Sequence, residues 1–325
     1  MNSSLAVTAR VAPITPQDSL HRRLAYFNRK RLTPALPTSE WLEELQQQGH
    51  FAQLEGRFLE GERRAVIERC AGLPQDPDDF MQWFESLDEA GAGQHDPLFN
   101  WLATRASMED MRWFLNQEIA GEAGFDDLVA LTQVRMPTQA KLEMARNYWD
   151  EMGRGREIRM HGPMLHATAV ALELRADVEA TVWEALALAN LMSAMASSRR
   201  YAYHSIGALG VVELTAPSRV RQVDKGLKRL GVAPRARSYF TLHSRIDVLH
   251  SREWNREVIR PLIEADPRLR IPIAEGALMR LNAGARCFAR YRETLWGSPT
   301  LAPRIVRPVT RERVSRIRSA PATVE

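Results

Sequence analysis

Apolar residues recur at helical spacing through almost the whole chain, and stretches of β-branched alternation are nearly absent. This pattern predicts an all-α fold. The segment "LHRRLAYFNRKRL" follows an irregular arm that ends at about residue 17. Next comes "PTSEWLEELQQQGHFAQLEGRFLEGERRAVIERCAGL", where Ser39 is the expected N-cap, with acids in the first turn. "DPDDFMQWFESLDEAGAG" ends on glycines. The centre reads as a helical stretch over 107–134, then "PTQAKLEMARNYWDEMGRG" with Pro137 at its start, where a missing N–H costs nothing. Short Gly- and Pro-marked connections suit antiparallel helix neighbours. The expected division is an N-terminal arm and helical extension over 1–95, a helical bundle over 96–297, and a basic tail over 298–325.

Composition excludes several classes. The formal charge is only +4 over 325 residues, and the last 28 residues hold six arginines against two glutamates. The remainder is nearly balanced, so nucleic acid is not an expected partner of the whole protein. Cys70 and Cys287 stand far apart, which offers neither a disulfide framework nor a zinc–thiolate site; a reducing cytoplasm is the expected compartment. The first residues lack a basic start followed by an apolar region, so no signal peptide is expected. The longest apolar run, "VWEALALANLMSAMA", contains Glu184 and is too short to span a membrane. No phosphate loop, nucleophile elbow or dinucleotide fingerprint occurs.

One stretch breaks the apolar pattern in an ordered way. In "YFTLHSRIDVLH", Asp247 falls roughly 40° from His243 around a helix, and His250 roughly 20° on the other side. Three side chains able to bind metal therefore share one stripe. A pair of metal ions needs anionic oxygens from other helices as well. Three sequence positions offer them. Glu213 interrupts the apolar "GALGVVELTAP". Glu151 closes "NYWDE" and has His161 ten residues on, with His166 as a rival. Glu118 lies on a stripe with Phe114 and Phe125, and Glu122 on the neighbouring one. An unpaired carboxylate buried at such places is costly, and metal binding removes that cost.

With these residues in hand, the chain resembles the haem-oxygenase-like non-haem diiron oxidases and oxygenases over about residues 100–297. The resemblance rests on "DEMGRG" before His161, on "GALGVVELTAP" around Glu213, and on "YFTLHSRIDVLH". It implies a bundle of about seven helices and a metal set of Glu151, His161, Glu213, His243, Asp247 and His250. Glu118, or Glu122 in its place, would be the further carboxylate of the N-oxygenase branch. It also implies two Fe(II) per chain, dioxygen as co-substrate and a small-molecule substrate, most readily an amine or guanidine-type nitrogen to be oxygenated. The enzymatic alternative is desaturation or oxidative C–C or C–N cleavage of an amino acid or fatty acid. The non-enzymatic one is a helical scaffold whose basic tail binds an acidic partner. Tyr201, Tyr203 and His204 are candidate pocket residues, and the family pattern leaves room for an external electron donor and a homodimer.

Overall fold

Several helices start on local signals that satisfy their free N–H groups. In the computed structural model, which describes residues 14–122, 124–175 and 177–297, Thr15 and Asp18 form a reciprocal cap. The Asp18 N–H donates to Thr15 Oγ1 at 3.1 Å and the Thr15 N–H to Asp18 Oδ2 at 2.9 Å. Ser107 and Asp110 repeat the device at 3.1 and 2.8 Å. Asp76 and Asp96 cap two helices that carry proline in the first turn. Ser39 does not cap as expected: the helix there starts at Trp41 after Glu40, whose N–H donates to Thr38 Oγ1.

The elements are α1 (Pro16–Leu32), α2 (Trp41–Arg64), α3 (Pro77–Glu85), α4 (Leu87–Ala90), α5 (Pro97–Thr104), α6 (Met108–Glu122) and α7 (Phe125–Thr132). They continue with α8 (Thr138–Glu151), α9 (His161–Ala171), α10 (Trp183–Ser197), α11 (Ala202–Arg229), α12 (Ser238–Trp254), α13 (Arg260–Ala265) and α14 (Arg270–Trp296). No strand occurs among the described residues, and the fold is all-α. The stretch 107–134 is two helices rather than one. Gly124 takes φ +93° between α6 and α7, a conformation that favours glycine and ends the first helix. The expected tail, 298–325, and the first 13 residues lie outside the described residues.

Helix α11 is the axis of the bundle, packed along α12 and α14 and crossed by α5. Glycine makes the α11–α14 contact possible. A Cβ at Gly207 would stand 1.8 Å from the Ile273 carbonyl oxygen, and one at Gly276 would stand 1.9 Å from that of His204. The two backbones touch at reciprocal glycines. Gly207→Ala is therefore expected to force the helices apart, at a cost of about 3 kcal/mol or more. A melting curve followed by circular dichroism should show a fall of roughly 5–10 °C.

The same helices carry apolar residues at both ends and polar ones between. On α11, Ile206, Leu209 and Val211 belong to one buried cluster and Val223 and Leu227 to another. On α12, Tyr239 and Phe240 join the second cluster and Trp254 the first. Glu213, His243, Asp247 and His250 fall in the gap between these clusters. The N-terminal helices are built into the first: Leu59, Phe80 and Phe84 share it with Trp254, Ile259 and Ile273. A buried amide pair ties α1 to α10. Asn28 Nδ2 donates to Asn190 Oδ1, and Asn190 Nδ2 donates to the His21 carbonyl, each at 2.9 Å.

Candidate metal centre

The end of α8 and the start of α9 meet through a turn that glycine allows. Gly153 adopts φ +61°, and a Cβ there would stand 2.5 Å from the Arg159 carbonyl carbon. The chain folds back tightly enough that Glu151, the last residue of α8, faces His161, the first of α9. His161 Nδ1 lies 2.6 Å from Glu151 Oε2, and both side chains are almost wholly buried. The glycines of "DEMGRG" thus serve the site by turning the chain.

Glu213 enters from α11. Pro217, one turn later, lacks the N–H that would bond the Glu213 carbonyl, so the helix, though continuous, is short of one hydrogen bond at Glu213. The stripe on α12 completes the group, with His243, Asp247 and His250 all buried. His243 Nδ1 pairs with Asp247 Oδ1 at 2.8 Å, and His250 Nδ1 lies 3.6 Å from Glu213 Oε1. Two triads of potential ligand atoms result, Glu151–His161–His243 and Glu151–Glu213–His250, each with its atoms within 4.8 Å of one another. Glu151 belongs to both. Asp247 is joined to the first triad through His243.

The donor set fits a pair of cations. His243 Nε2 is buried and makes no hydrogen bond among the described residues, while His161 Nδ1 and His250 Nδ1 face only the carboxylates of Glu151 and Glu213. An orphaned group like His243 Nε2 is expensive inside a protein, and a cation removes the expense. Burial disfavours the charged imidazole of His243, but Asp247 beside it outweighs that and raises its pKa to about 9. His250 behaves alike: burial opposes its charge, and the Glu213 carboxylate beside it raises its pKa to about 9. The metal-free pocket therefore holds protons where a metal ion would hold the same nitrogens.

Two supporting residues escaped the sequence reading. Asp150 Oδ2 lies 3.3 Å from His250 Nε2, which leaves Nδ1 turned toward Glu213. A carboxylate behind a metal-binding histidine sets ring orientation and tautomer. Asn147 Nδ2 donates to Glu213 Oε1 at 2.8 Å. The signal was available: Glu143, Asn147, Asp150 and Glu151 are all buried and repeat along one face of α8.

A cavity opens beside the triads, lined by Glu151, Glu213, His243 and Asp247, by Glu118, and by Phe99, Phe114, Phe125, Phe240 and Phe288. Glu118 is thus on the cavity wall but in neither triad, and its Oε1 accepts a hydrogen bond from Tyr291 Oη at 2.9 Å. The side chain of Glu122 lies outside the described residues. His166 stands apart from the triads: it is exposed and lines an outer cleft that reaches the inner cavity along Ile119, Phe125, Leu165 and Tyr239. Tyr201, Tyr203 and His204 do not line the cavity. His204 Nε2 pairs with Glu275 at 2.9 Å and Tyr201 Oη donates to Glu60 at 2.6 Å, in a polar network where α2 packs on the bundle. Their alternation of ring and polar tip suited a pocket equally well; the packing of α2 decides otherwise.

Fold and site together define an all-α protein with a buried carboxylate–histidine centre facing an apolar cavity. The family model described as iron-containing redox enzyme matches residues 112–285, and the chain belongs to that family. Its bundle is accordingly of the haem-oxygenase-like kind. No curated protein matches the chain in sequence. No helix among the described residues is long and apolar enough to cross a membrane.

Proposed function

We propose that the protein is a non-haem diiron oxygenase that uses dioxygen to oxygenate an amine or guanidine-type nitrogen of a small metabolite. The observation that carries the reading is Glu151, whose carboxylate belongs to both ligand triads at once. Glu151, His161, Glu213, His243, Asp247 and His250 would hold two irons, which supply dioxygen activation when bound. The rest is the work of this chain's side chains. The phenylalanine walls exclude water and hold an apolar substrate body. Asp150 fixes the ring of His250, and Asn147 fixes the carboxylate of Glu213. The outer cleft offers a path for the substrate between α6, α7 and α9. The test is exposure of the iron-loaded protein to isotope-labelled dioxygen with a panel of amines. Label is expected on nitrogen in one of them; dioxygen consumption with no labelled nitrogen product in any would refute the proposal.

One observation favours the other enzymatic outcome, desaturation or oxidative cleavage. Glu118 is held by Tyr291 and stands outside both triads, which leaves the five residues of the triads and Asp247, paired with His243, as six candidate ligands. Glu118→Ala separates the two readings. Loss of about one iron per chain supports Glu118 as a seventh ligand and N-oxygenation. Full iron loading with a desaturated or cleaved product supports the six-ligand reading.

A further inference from the structure

The helix that carries the ligand stripe turns a second stripe outward. On α12, Arg245, Val248, Leu249 and Arg252 lie roughly 180° round the helix from His243, Asp247 and His250, and all four are exposed. Exposed apolar side chains continue onto α8 and the turn after it, as Leu142, Trp149 and Ile158. The two helices run side by side here. Gln139 Nε2 donates to Glu257, just past α12, at 2.9 Å, and Asp150 meets His250 at the other end of α8. Gly155, at φ +77°, folds the turn against the Trp149 ring, where a Cβ would stand 3.0 Å from the indole. Exposed apolar patches that combine tryptophan with arginine mark docking sites.

The charge around this patch is one-sided. Arg146 pairs with Glu143, Arg154 with Asp150, and Arg256 with Glu253 and Glu257. Lys141, Arg156, Arg159, Arg245 and Arg252 make no side-chain hydrogen bond or ion pair among the described residues, and the acid left on this face is Glu157. A partner that fits it is acidic. The face also backs directly onto the ligands. The exposed Arg154 donates to Asp150 Oδ1, and Asp150 Oδ2 lies 3.3 Å from His250 Nε2, so two polar contacts join the surface to a ligand ring.

The reaction proposed above, on which this inference rests, needs electrons from outside. Hydroxylating an amine nitrogen puts one atom of O2 on nitrogen and releases the other as water, which consumes two electrons and two protons beyond those of the substrate. Desaturation, with both atoms released as water, consumes the same. The chain has no dinucleotide fingerprint, and its two cysteines are too few for an iron–sulfur cluster. We propose that the α8–α12 face docks an acidic one-electron carrier protein, two reduced carriers being oxidised per turnover beside Asp150 and His250. The outer cleft is left to the substrate.

The test is calorimetric binding of a plant-type ferredoxin, an acidic iron–sulfur carrier, to the full-length iron-loaded protein, with cytochrome c as the basic counterpart. Ferredoxin is expected to bind at least tenfold more tightly at about 0.02 M salt, and the preference should fade near about 0.2 M. Arg245→Glu combined with Arg252→Glu should remove the preference, and Trp149→Ala should weaken ferredoxin binding about tenfold. Reduction of the ferric centre by reduced ferredoxin should slow about tenfold in the same variants. Dithionite, which needs no docking face, should reduce them at the wild-type rate, and that rate with an unchanged iron content shows that they are folded. Equal binding of the two carriers by the wild-type chain overturns the proposal. So does a preference that survives in the double variant, because the basic tail then holds the carrier. Binding lost without any slowing of reduction overturns it too. A wild-type chain that takes up no iron removes the metal-centre reading and this proposal with it, whereas a loaded chain that does not distinguish the carriers removes this proposal alone.

Discussion

Glu151→Gln is expected to abolish iron loading at both positions, from about two Fe(II) per chain to less than about half of one. The reason is geometric: this one carboxylate is common to both triads. Glutamine keeps the shape and removes the charge, so far-UV circular dichroism should be unchanged while iron analysis collapses. Changes elsewhere in the site should act on a smaller scale. Asp150→Asn leaves every proposed ligand in place and disturbs only the orientation of His250, so a loss of about 10–100-fold in affinity at one position is expected. A Glu151→Gln chain that still holds two irons would remove Glu151 from the centre of the account.

Metal affinity should rise steeply with pH. A metal ion binds neutral imidazole, and His243 and His250 have pKa values of about 9 in the metal-free fold. Binding near pH 7 must therefore displace about two protons per chain. Apparent affinity for cobalt(II) at each position, measured anaerobically by competition with a chelator, should increase by about tenfold per pH unit between about pH 6.5 and pH 8.5, one proton displaced per ion, then flatten above about pH 9. The metal-free protein has the opposite dependence. Both histidine pKa values are raised above the ordinary 6.5. Their ion pairs therefore contribute full stability below that value and lose it as pH rises through about 9. The two trends share one cause, the carboxylates that hold either a proton or a metal on the same rings. An affinity independent of pH over this range would contradict it.

The stripe His243–Asp247–His250 could be read from sequence because helical period alone decides whether three residues share a face. Glu213 was conspicuous for a similar reason: its neighbours are apolar, so its burial followed from its place on the helix. The Glu151–His161 contact is a different matter. The glycines between them were visible, but the direction of the turn depends on the positive φ of Gly153 and on what its missing Cβ allows. Tertiary packing hid the rest. His204 and Tyr201 carry the right chemistry for a pocket, yet α2 packs over them and supplies Glu60, while Glu275 comes from α14. The break between α6 and α7 turned on a single glycine whose φ no periodicity reveals.

The central claim is that Glu151 is shared between two metal positions, and counting the Fe(II) bound per chain in an anaerobic titration of the wild-type protein tests it most directly. About two equivalents are expected, both lost in Glu151→Gln. A chain that binds no iron, or a single iron indifferent to Glu151, would contradict the account.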